Sequence, residues 1–394
     1  MYKRHYHSRN NRGANNKRIN NASQVVSAIR AIKSLPKESI SDDSDKFIPL
    51  NEFKDFAISD RLKLNIQNKR YELPTPIQDK AIPSILDGRD IIGIANTGTG
   101  KTAAFLIPLI EKVSRDPSQK VIIILPTREL ADQTSDELYG FTYGTPVSWT
   151  VCVGGKNMVK QINDLEKGPN FVIGTPGRLL DLSKKGFLNL REFGNVVLDE
   201  ADRMVDMGFI RDIRYFIANL PKDRQSLFFS ATIPPKVGEI LKNFVSDPVT
   251  ISVKKSDAIS NIDHELINVN NKAAKFKKLS DLLRRDELEK VLIFGRTKWG
   301  VQKLSNELYK KGFNTGAIHG NKNQSQRQRV LDDFKAGRIR IMIATDVLSR
   351  GIDVDDISHV INYDLPGSYE DYIHRIGRTG RAKKNGVALT FVEN

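Results

Sequence analysis

The segment Asp90–Thr102, DIIGIANTGTGKT, constrains this chain more than any other. Ile91, Ile92, Gly93, Ile94 and Ala95 predict a short buried strand. A loop of Thr97, Gly98, Thr99 and Gly100 follows, then Lys101, Thr102 and the helical run AAFLIPLIEKV. Strand, glycine-rich loop, Lys-Thr and helix, in that order, are the parts of a phosphate-binding P-loop. Glycines let successive backbone N–H groups curl around phosphate oxygens, and the helix aims its positive end at them. In that reading Lys101 reaches the β- and γ-phosphates of a nucleotide and the Thr102 hydroxyl coordinates Mg2+. Ala95 stands where the general pattern G-x-x-x-x-G-K-T has its first glycine. A plain glycine turn followed by an exposed lysine would share these letters; the flanking strand and helix favour the phosphate site.

Buried strands are predicted downstream at Val121–Leu125, Trp149–Val153, Phe171–Gly174, Val196–Leu198 and Leu227–Phe229, with helical patterns between most of them. Each runs into a polar or glycine-bearing cluster. These are Thr127-Arg128, Gly154-Gly155, Thr175-Pro176-Gly177-Arg178, Asp199-Glu200-Ala201-Asp202 and Ser230-Ala231-Thr232. Alternating strands and helices imply a parallel sheet with ligands at the carboxyl ends of its strands. Asp199-Glu200 after an apolar strand fits a Walker B pair. Asp199 would hold Mg2+, directly or through water, and Glu200 would orient and deprotonate an attacking water. A helix N-cap with acidic first-turn residues is the plainer alternative.

After Ile251, residues 252–261 read as a linker. A second alternation then brings strands at Val291–Phe294, Thr315–Ile318, Ile341–Ala344, His359–Asn362 and Val387–Val392. This half has no P-loop but ends in His374-Arg375-Ile376-Gly377-Arg378-Thr379-Gly380-Arg381. Arginine is always charged and forked for phosphate, so beside an ATP site a trans-acting arginine finger is the sharper reading. A solvated basic helix is the other.

A chain of 394 residues suggests two domains and a tail. The net charge of +15 points to a polyanionic partner, nucleic acid first. The single Cys152 excludes an intramolecular disulfide framework and a multi-cysteine metal site. No apolar stretch reaches the ~18 residues a bilayer span needs, and the N-terminus lacks the apolar region of a secretory signal. A soluble, cytoplasmic protein without membrane contact is expected. Residues 1–45 are expected to form a disordered basic tail, either one that binds phosphate backbones without sequence preference or a solvated appendage with no specific partner. Within it, Gln24–Ser34 could form a short helix. The expected domains are then 46–251 and 262–394.

Upstream of the P-loop lies Tyr71-Glu72-Leu73-Pro74-Thr75-Pro76-Ile77-Gln78. Its two prolines fix a rigid turn that would orient Gln78. A glutamine amide can pair with the N6 and N7 edge of adenine, and Tyr71 offers a ring to stack on the base. A proline turn opening a helix is the commoner explanation of such a stretch.

Together these motifs resemble the DEAD-box RNA helicases of helicase superfamily 2, from about Phe53 to Val392. Phe53 resembles the isolated upstream aromatic of that family and Tyr71–Gln78 its Q motif. Ala95–Thr102 is similar to motif I, where alanine is usual at the first position. Pro126–Leu130, Gly154-Gly155 and Thr175–Arg178 resemble RNA-contacting motifs, Asp199–Asp202 spells the family name, and Ser230–Thr232 resembles the motif that couples hydrolysis to strand separation. Leu292–Thr297, with Arg296, looks like motif IV; Gln324 and Arg327 look like its extension. Ala344–Asp353, with Thr345, Asp346 and Gly351, looks like motif V, and His374–Arg381 like motif VI. Arg70 stands where the family usually has glycine, and Ser349 where alanine is common.

The resemblance implies two tandem RecA-like α/β domains that use ATP and Mg2+ and bind single-stranded or short duplex RNA. It assigns Phe53, Tyr71, Gln78, the P-loop residues, Gly351 and Asp353 to the nucleotide, with Asp353 on the ribose and Arg378 and Arg381 on the γ-phosphate. RNA contacts fall to Thr127, Arg128, Gly154, Gly155, Thr175, Gly177, Arg178, Arg296, Thr345 and Asp346. Coupling falls to Asp202, Ser230, Thr232 and His374. An RNA clamp or assembly factor gated by ATP would carry the same motifs. A P-loop small-molecule kinase would not explain the second half, and only the DEAD-box motif set argues against a DNA-directed relative. Ribonucleoprotein or ribosomal partners, a monomeric state and the absence of a further RNA-binding domain after Asn394 complete the expectation.

Overall fold

The computed structural model describes residues 23–31, 47–96, 98–253, 262–346, 354, 356–380 and 386–393. They divide between two compact units near residue 255, and residues 23–31 belong with the C-terminal unit.

Residues 23–31 form helix α1. The first unit then runs α2 (Asp60–Asn68), α3 (Pro76–Leu86), β1 (Ile91–Ile94), α4 (Lys101–Arg115), β2 (Val121–Ile124), α5 (Arg128–Thr142), β3 (Trp149–Cys152), α6 (Met158–Glu166), β4 (Phe171–Gly174) and α7 (Pro176–Lys184). It continues through β5 (Asn195–Leu198), α8 (Ala201–Asp206), α9 (Ile210–Asn219), β6 (Gln225–Ser230), α10 (Pro235–Phe244) and β7 (Val249–Ser252). The strands form one sheet in the order β3-β4-β2-β5-β6-β1-β7, and every pairing is parallel.

Central strands β2, β4, β5 and β6 are buried along their whole length. That is why their sequences read as unbroken apolar runs rather than alternations. Successive residues still serve opposite layers. Ile123, Ile173 and Val197 join the core beneath α3, α4 and α5, whereas Ile122, Val172 and Val196 join the one beneath α7, α9 and α10. Cys152 lies in the second of these layers, and burial pushes its thiol up to about 12, so it is chemically inert in the fold.

The second unit contains β8 (Ile262–Val269), α11 (Lys272–Leu282), β9 (Val291–Phe294), α12 (Lys298–Lys310), β10 (Thr315–Ile318), α13 (Gln324–Lys335), β11 (Ile341–Ala344), β12 (His359–Asn362), α14 (Tyr369–Ile376) and β13 (Gly386–Glu393). Its sheet, again all parallel, has the order β10-β11-β9-β12-β13-β8. Both units are thus parallel sheets covered by helices, as the resemblance implied.

Two features depart from the sequence reading. The tail expected to be disordered over 1–45 contains α1, whose Val25 and Ile29 are buried. Strand β8 directly follows the linker region and was not expected. It is an edge strand that alternates buried and exposed residues, so it lacks the continuous apolar run of its neighbours. Of the expected linker, Ser252 closes β7, and residues 254–261 lie outside the described residues. The expected tail residues 1–22 and 32–45 also lie outside them.

Candidate functional site

In the first unit, α4 begins directly at Lys101, and Gly100 precedes it in a left-handed conformation with φ +88°. Glycine is required there twice over. Positive φ strains other residues, and a Cβ would run into the Gln78 amide. Gln78 is 1% exposed. Its Oε1 accepts from Thr75 N at 2.9 Å and its Nε2 donates to Gly100 O at 3.1 Å. Thr75 Oγ1 donates to Thr99 O at 2.8 Å, so the proline turn is fastened to the phosphate loop at two points. An amide oxygen has a second lone pair and an amide nitrogen a second hydrogen, which leaves Gln78 capacity to meet a base edge.

Tyr71, expected to stack on the base, is built into the core instead. Its ring packs edge-on against Phe53 and Phe141, and its hydroxyl donates to Glu137 Oε1 at 2.6 Å. Phe53 is buried in the same aromatic cluster. Both residues therefore support the turn that carries Gln78. Thr97, also expected here, lies outside the described residues.

Lys101 is buried, and its Nζ donates to Ala95 O at 2.8 Å and Asn96 O at 3.2 Å. Asp199 and Glu200 follow β5. Glu200 adopts φ +52°, a left-handed conformation costing a non-glycine residue about 1–3 kcal/mol. The strain turns its backbone N–H onto Asp199 Oδ1 at 2.9 Å. Arg203 Nη1 holds Glu200 Oε2 at 3.0 Å, with both side chains largely out of solvent. Arg203 was not singled out from the sequence; its only signal was its place one turn after Glu200.

Burial raises the Asp199 carboxyl to about 6; Lys101 opposes the shift, while Glu200 and Asp202 add to it. A folded pKa above the unfolded value near 3.9 favours the protonated form. Stability associated with this group is therefore present at low pH and lost as pH rises toward and through 6. Metal-free Asp199→Asn is expected to unfold at a higher temperature than the parent at pH 7.5, by the equivalent of about 2–3 kcal/mol, with the gain reduced to about 1 kcal/mol at pH 4.5. Thermal unfolding in a chelator at both pH values checks this; an equal gain at pH 4.5 would refute the titration.

Among the described residues no cluster of three or more His, Cys, Asp or Glu side chains could cage a metal. Mg2+ does not need one, because it binds through one or two carboxylates and substrate phosphates. The Asp199 carboxylate, desolvated beside the phosphate loop, and the Thr102 hydroxyl at the start of α4 suit that mode.

Asp202 ties this pair to the end of β6. Its Oδ2 accepts from Thr232 N at 3.0 Å and Thr232 Oγ1 at 2.9 Å, and its N–H donates to Ser230 Oγ at 3.2 Å. Ser230 Oγ in turn donates to Thr232 O at 2.8 Å.

The expected RNA-contacting groups of the first unit gather at the ends of β2, β3 and β4. Thr127 caps α5 and Thr175 stands at the N-cap of α7. Arg128 lies directly over Gly154 and Gly155, where any Cβ would strike its guanidinium, and Arg178 donates to Gln161 at 2.9 Å. Gly177 is open to solvent. Helix N-termini and exposed backbone N–H groups beside arginines suit phosphates rather than base edges.

In the second unit Arg296 is exposed after β9, and its N–H donates to Asp364 Oδ2 at 2.8 Å. Thr345 is half-buried after β11. Asp346 departs from its expected role as an RNA contact, because both its oxygens are engaged by Arg375. Nε reaches Oδ1 at 2.5 Å and Nη2 reaches Oδ2 at 2.8 Å. Arg375 also donates to Asn362 Oδ1 and to Asp364 O, and its guanidinium lies 5.0 Å from the Phe294 ring centre. The sequence reading missed this anchor of the arginine segment, whose partners lie in other elements. His374 is half-buried on α14, and Arg378 is 2% exposed just beyond it. Arg381, Gly351 and Asp353 lie outside the described residues.

The geometry agrees with comparisons to known proteins. The DEAD/DEAH box helicase profile matches residues 75–240, and the helicase conserved C-terminal domain profile matches 274–383. A DEAD-box ATP-dependent RNA helicase CshA of Geobacillus kaustophilus is 43% identical over 342 residues, covering 86% of this chain and 73% of its own length. This chain belongs to the DEAD-box helicase family. An ATP-dependent RNA helicase CshA of Limosilactobacillus reuteri is 42% identical, covering 86% of this DEAD-box chain and 69% of its own length. Among solved structures, S. cerevisiae Dbp5 bound to RNA and ADP BeF3 is 34% identical with a TM-score of 0.77, covering 87% of this chain and 90% of that one. DEAD-box helicase Mss116 bound to ssRNA and UDP-BeF is 29% identical with a TM-score of 0.79, covering 89% and 76%. No helix among the described residues is long and apolar enough to cross a membrane.

Proposed function

We infer that this DEAD-box chain is an RNA-stimulated ATPase that hydrolyses ATP with Mg2+ and separates short RNA duplexes or remodels RNA–protein complexes. The observation that carries the coupling is the hydrogen-bonded web joining Asp202 to Ser230 and Thr232. It ties the segment holding Asp199 and Glu200 to the end of β6, so a shift at either is felt at the other.

In this reading Lys101 and the phosphate loop bind the triphosphate, and Thr102 and Asp199 hold Mg2+, whose charge offsets that on the phosphates. Glu200, fixed by Arg203, takes the proton of the attacking water. Arg378 and Arg381 stabilise charge on the γ-phosphate, and Asp353, with Gly351, contacts the ribose. These groups divide between an ATP-binding domain over 46–251 and a helicase C-terminal domain over 262–394, so turnover requires both. RNA favours turnover by engaging Thr127, Arg128, Gly154, Gly155, Thr175, Gly177 and Arg178 in one domain and Arg296 and Thr345 in the other. Such contacts carry no base specificity. The basic charge suits RNA in the cytoplasm, and the proposed working form is a monomer able to join ribonucleoprotein particles.

Gln78 is assigned the adenine edge, so Gln78→Ala is expected to weaken ATP binding and reduce discrimination against GTP. Loss of a charge-free buried hydrogen bond costs about 1–3 kcal/mol, or roughly 5- to 150-fold in affinity. Competition between ATP and GTP in a steady-state ATPase assay, with and without single-stranded RNA, tests both claims. Parent protein that uses GTP as well as ATP removes the Gln78 assignment, and a rate indifferent to RNA removes the function.

A further inference from the structure

The two faces of the second sheet are covered differently. Helices α11 and α12 pack Leu279, Leu282, Val301 and Leu304 on one side. On the other, along outer strands β13 and β8, Ile262 and Ala388 share a buried cluster with Tyr372 and Ile376 of α14 and with Val25 and Ile29 of α1, and Leu266 and Ile373 pack against it. Val25 and Ile29 lie four residues apart, hence on one face of the helix. They are 1% and 0% exposed, whereas Gln24, Ser27 and Arg30 face solvent. A helix this short does not persist alone in water, so α1 forms where it docks.

The docking surface is the back of the helix that carries the arginine segment. Tyr372 and Ile376, 0% and 1% exposed, meet α1, and the Tyr372 hydroxyl is 2.7 Å from His264 Nδ1 of β8. Arg375, between them in sequence, is held by Asp346, Asn362 and Asp364. Arg378 follows Ile376 by two residues, and Thr379 Oγ1 fixes the next position on Ser358 O.

We propose that α1 is a positioning element for Arg378: docked, it clamps α14 against β8 and β13, and its occupancy sets the turnover rate. The segment works through Tyr372 and Ile376, touching neither nucleotide nor RNA. The proposal rests on Arg378 acting in hydrolysis. It makes the N-terminal segment part of the C-terminal unit and a handle by which anything that captures α1 would slow the enzyme.

The test uses full-length Val25→Asp/Ile29→Asp, which disables docking, with Val25→Ile/Ile29→Val as the conservative control. The double aspartate variant is expected to lose tenfold or more in kcat, toward the ~10²-fold that follows from displacing a reacting group by about 1 Å. Its KM for ATP should be unchanged, and the control should match the parent. A synthetic peptide of residues 20–34 should restore kcat saturably, while the same peptide with both aspartates should not. An unchanged kcat, or a loss that the parent peptide does not restore, overturns the proposal. Fluorescence anisotropy of labelled peptide on the aspartate variant, without nucleotide or RNA, reads docking alone. Peptide that binds while Arg378→Ala keeps its turnover would refute the arginine assignment and the positioning role that depends on it, and leave docking standing; peptide that fails to bind refutes docking itself.

Discussion

Arg378→Ala is expected to lower RNA-stimulated ATP turnover by ~10³–10⁵-fold, the contribution of finger arginines in related NTPases. The residue is suited to that role by how firmly its surroundings are built. Arg375 spends its charge on Asp346 and lies against Phe294. It therefore anchors the segment, leaving the phosphate role to Arg378. The phosphate loop, Asp199 and Glu200 belong to the other unit and stay intact in the variant, so ATP affinity should change little. Lysine should not substitute well, since an ammonium lacks the planar fork that grips two oxygens. Steady-state turnover at saturating ATP and RNA, beside equilibrium binding of a fluorescent ATP analogue, separates the two effects. Turnover within a few-fold of the parent would exclude the role.

Glu200→Gln carries the second large effect. The amide keeps the shape of the carboxylate and can still accept from Arg203, whose guanidinium lies 3.0 Å from Oε2. It cannot take a proton from water. Loss of a positioned general base costs ~10²–10⁴ in rate, and the left-handed backbone at φ +52° holds either side chain in the same place. Single-turnover hydrolysis should fall by that factor while ATP and Mg2+ binding persist through Lys101, Thr102 and Asp199. A variant that hydrolyses normally would remove Glu200 from catalysis.

Both residues were singled out from the sequence because the chemistry assigned to them demands fixed residue types at fixed spacings, Glu200 just after an apolar strand and Arg378 in an arginine-glycine segment after a helix. The sheets were legible for a related reason. A strand buried on both faces, such as Val121–Ile124 or Val291–Phe294, is an uninterrupted apolar word. Strand β8 was missed because an edge strand alternates, and His264 and Glu265 interrupt its apolar letters. The helix in the N-terminal segment was foreseen only as an option. What Val25 and Ile29 pack against lies more than 200 residues away in the chain, and a basic, asparagine-rich neighbourhood hides a two-residue apolar face. Arg203 and the anchoring role of Arg375 went unnoticed because a charged residue reads as solvated until its partner is known. The packing role of Tyr71 was hidden for the converse reason: its partners Phe53 and, on α5, Glu137 and Phe141 are supplied by two separate segments.

The central claim is that ATP and RNA are bound interdependently by groups divided between the two units. The most direct measurement is the dissociation rate of a labelled single-stranded RNA from Glu200→Gln with ATP and Mg2+, with ADP and Mg2+, and without nucleotide. If hydrolysis releases RNA, blocking it at the water-activation step leaves the ATP-bound, RNA-gripping state in place. RNA should then leave far more slowly with ATP than in the other two conditions, and more slowly than from the parent protein with ATP. By linkage, RNA should raise the affinity of this variant for ATP by the same factor that ATP raises its affinity for RNA. A variant that is inactive yet releases RNA equally fast with ATP, with ADP and without nucleotide would contradict the account.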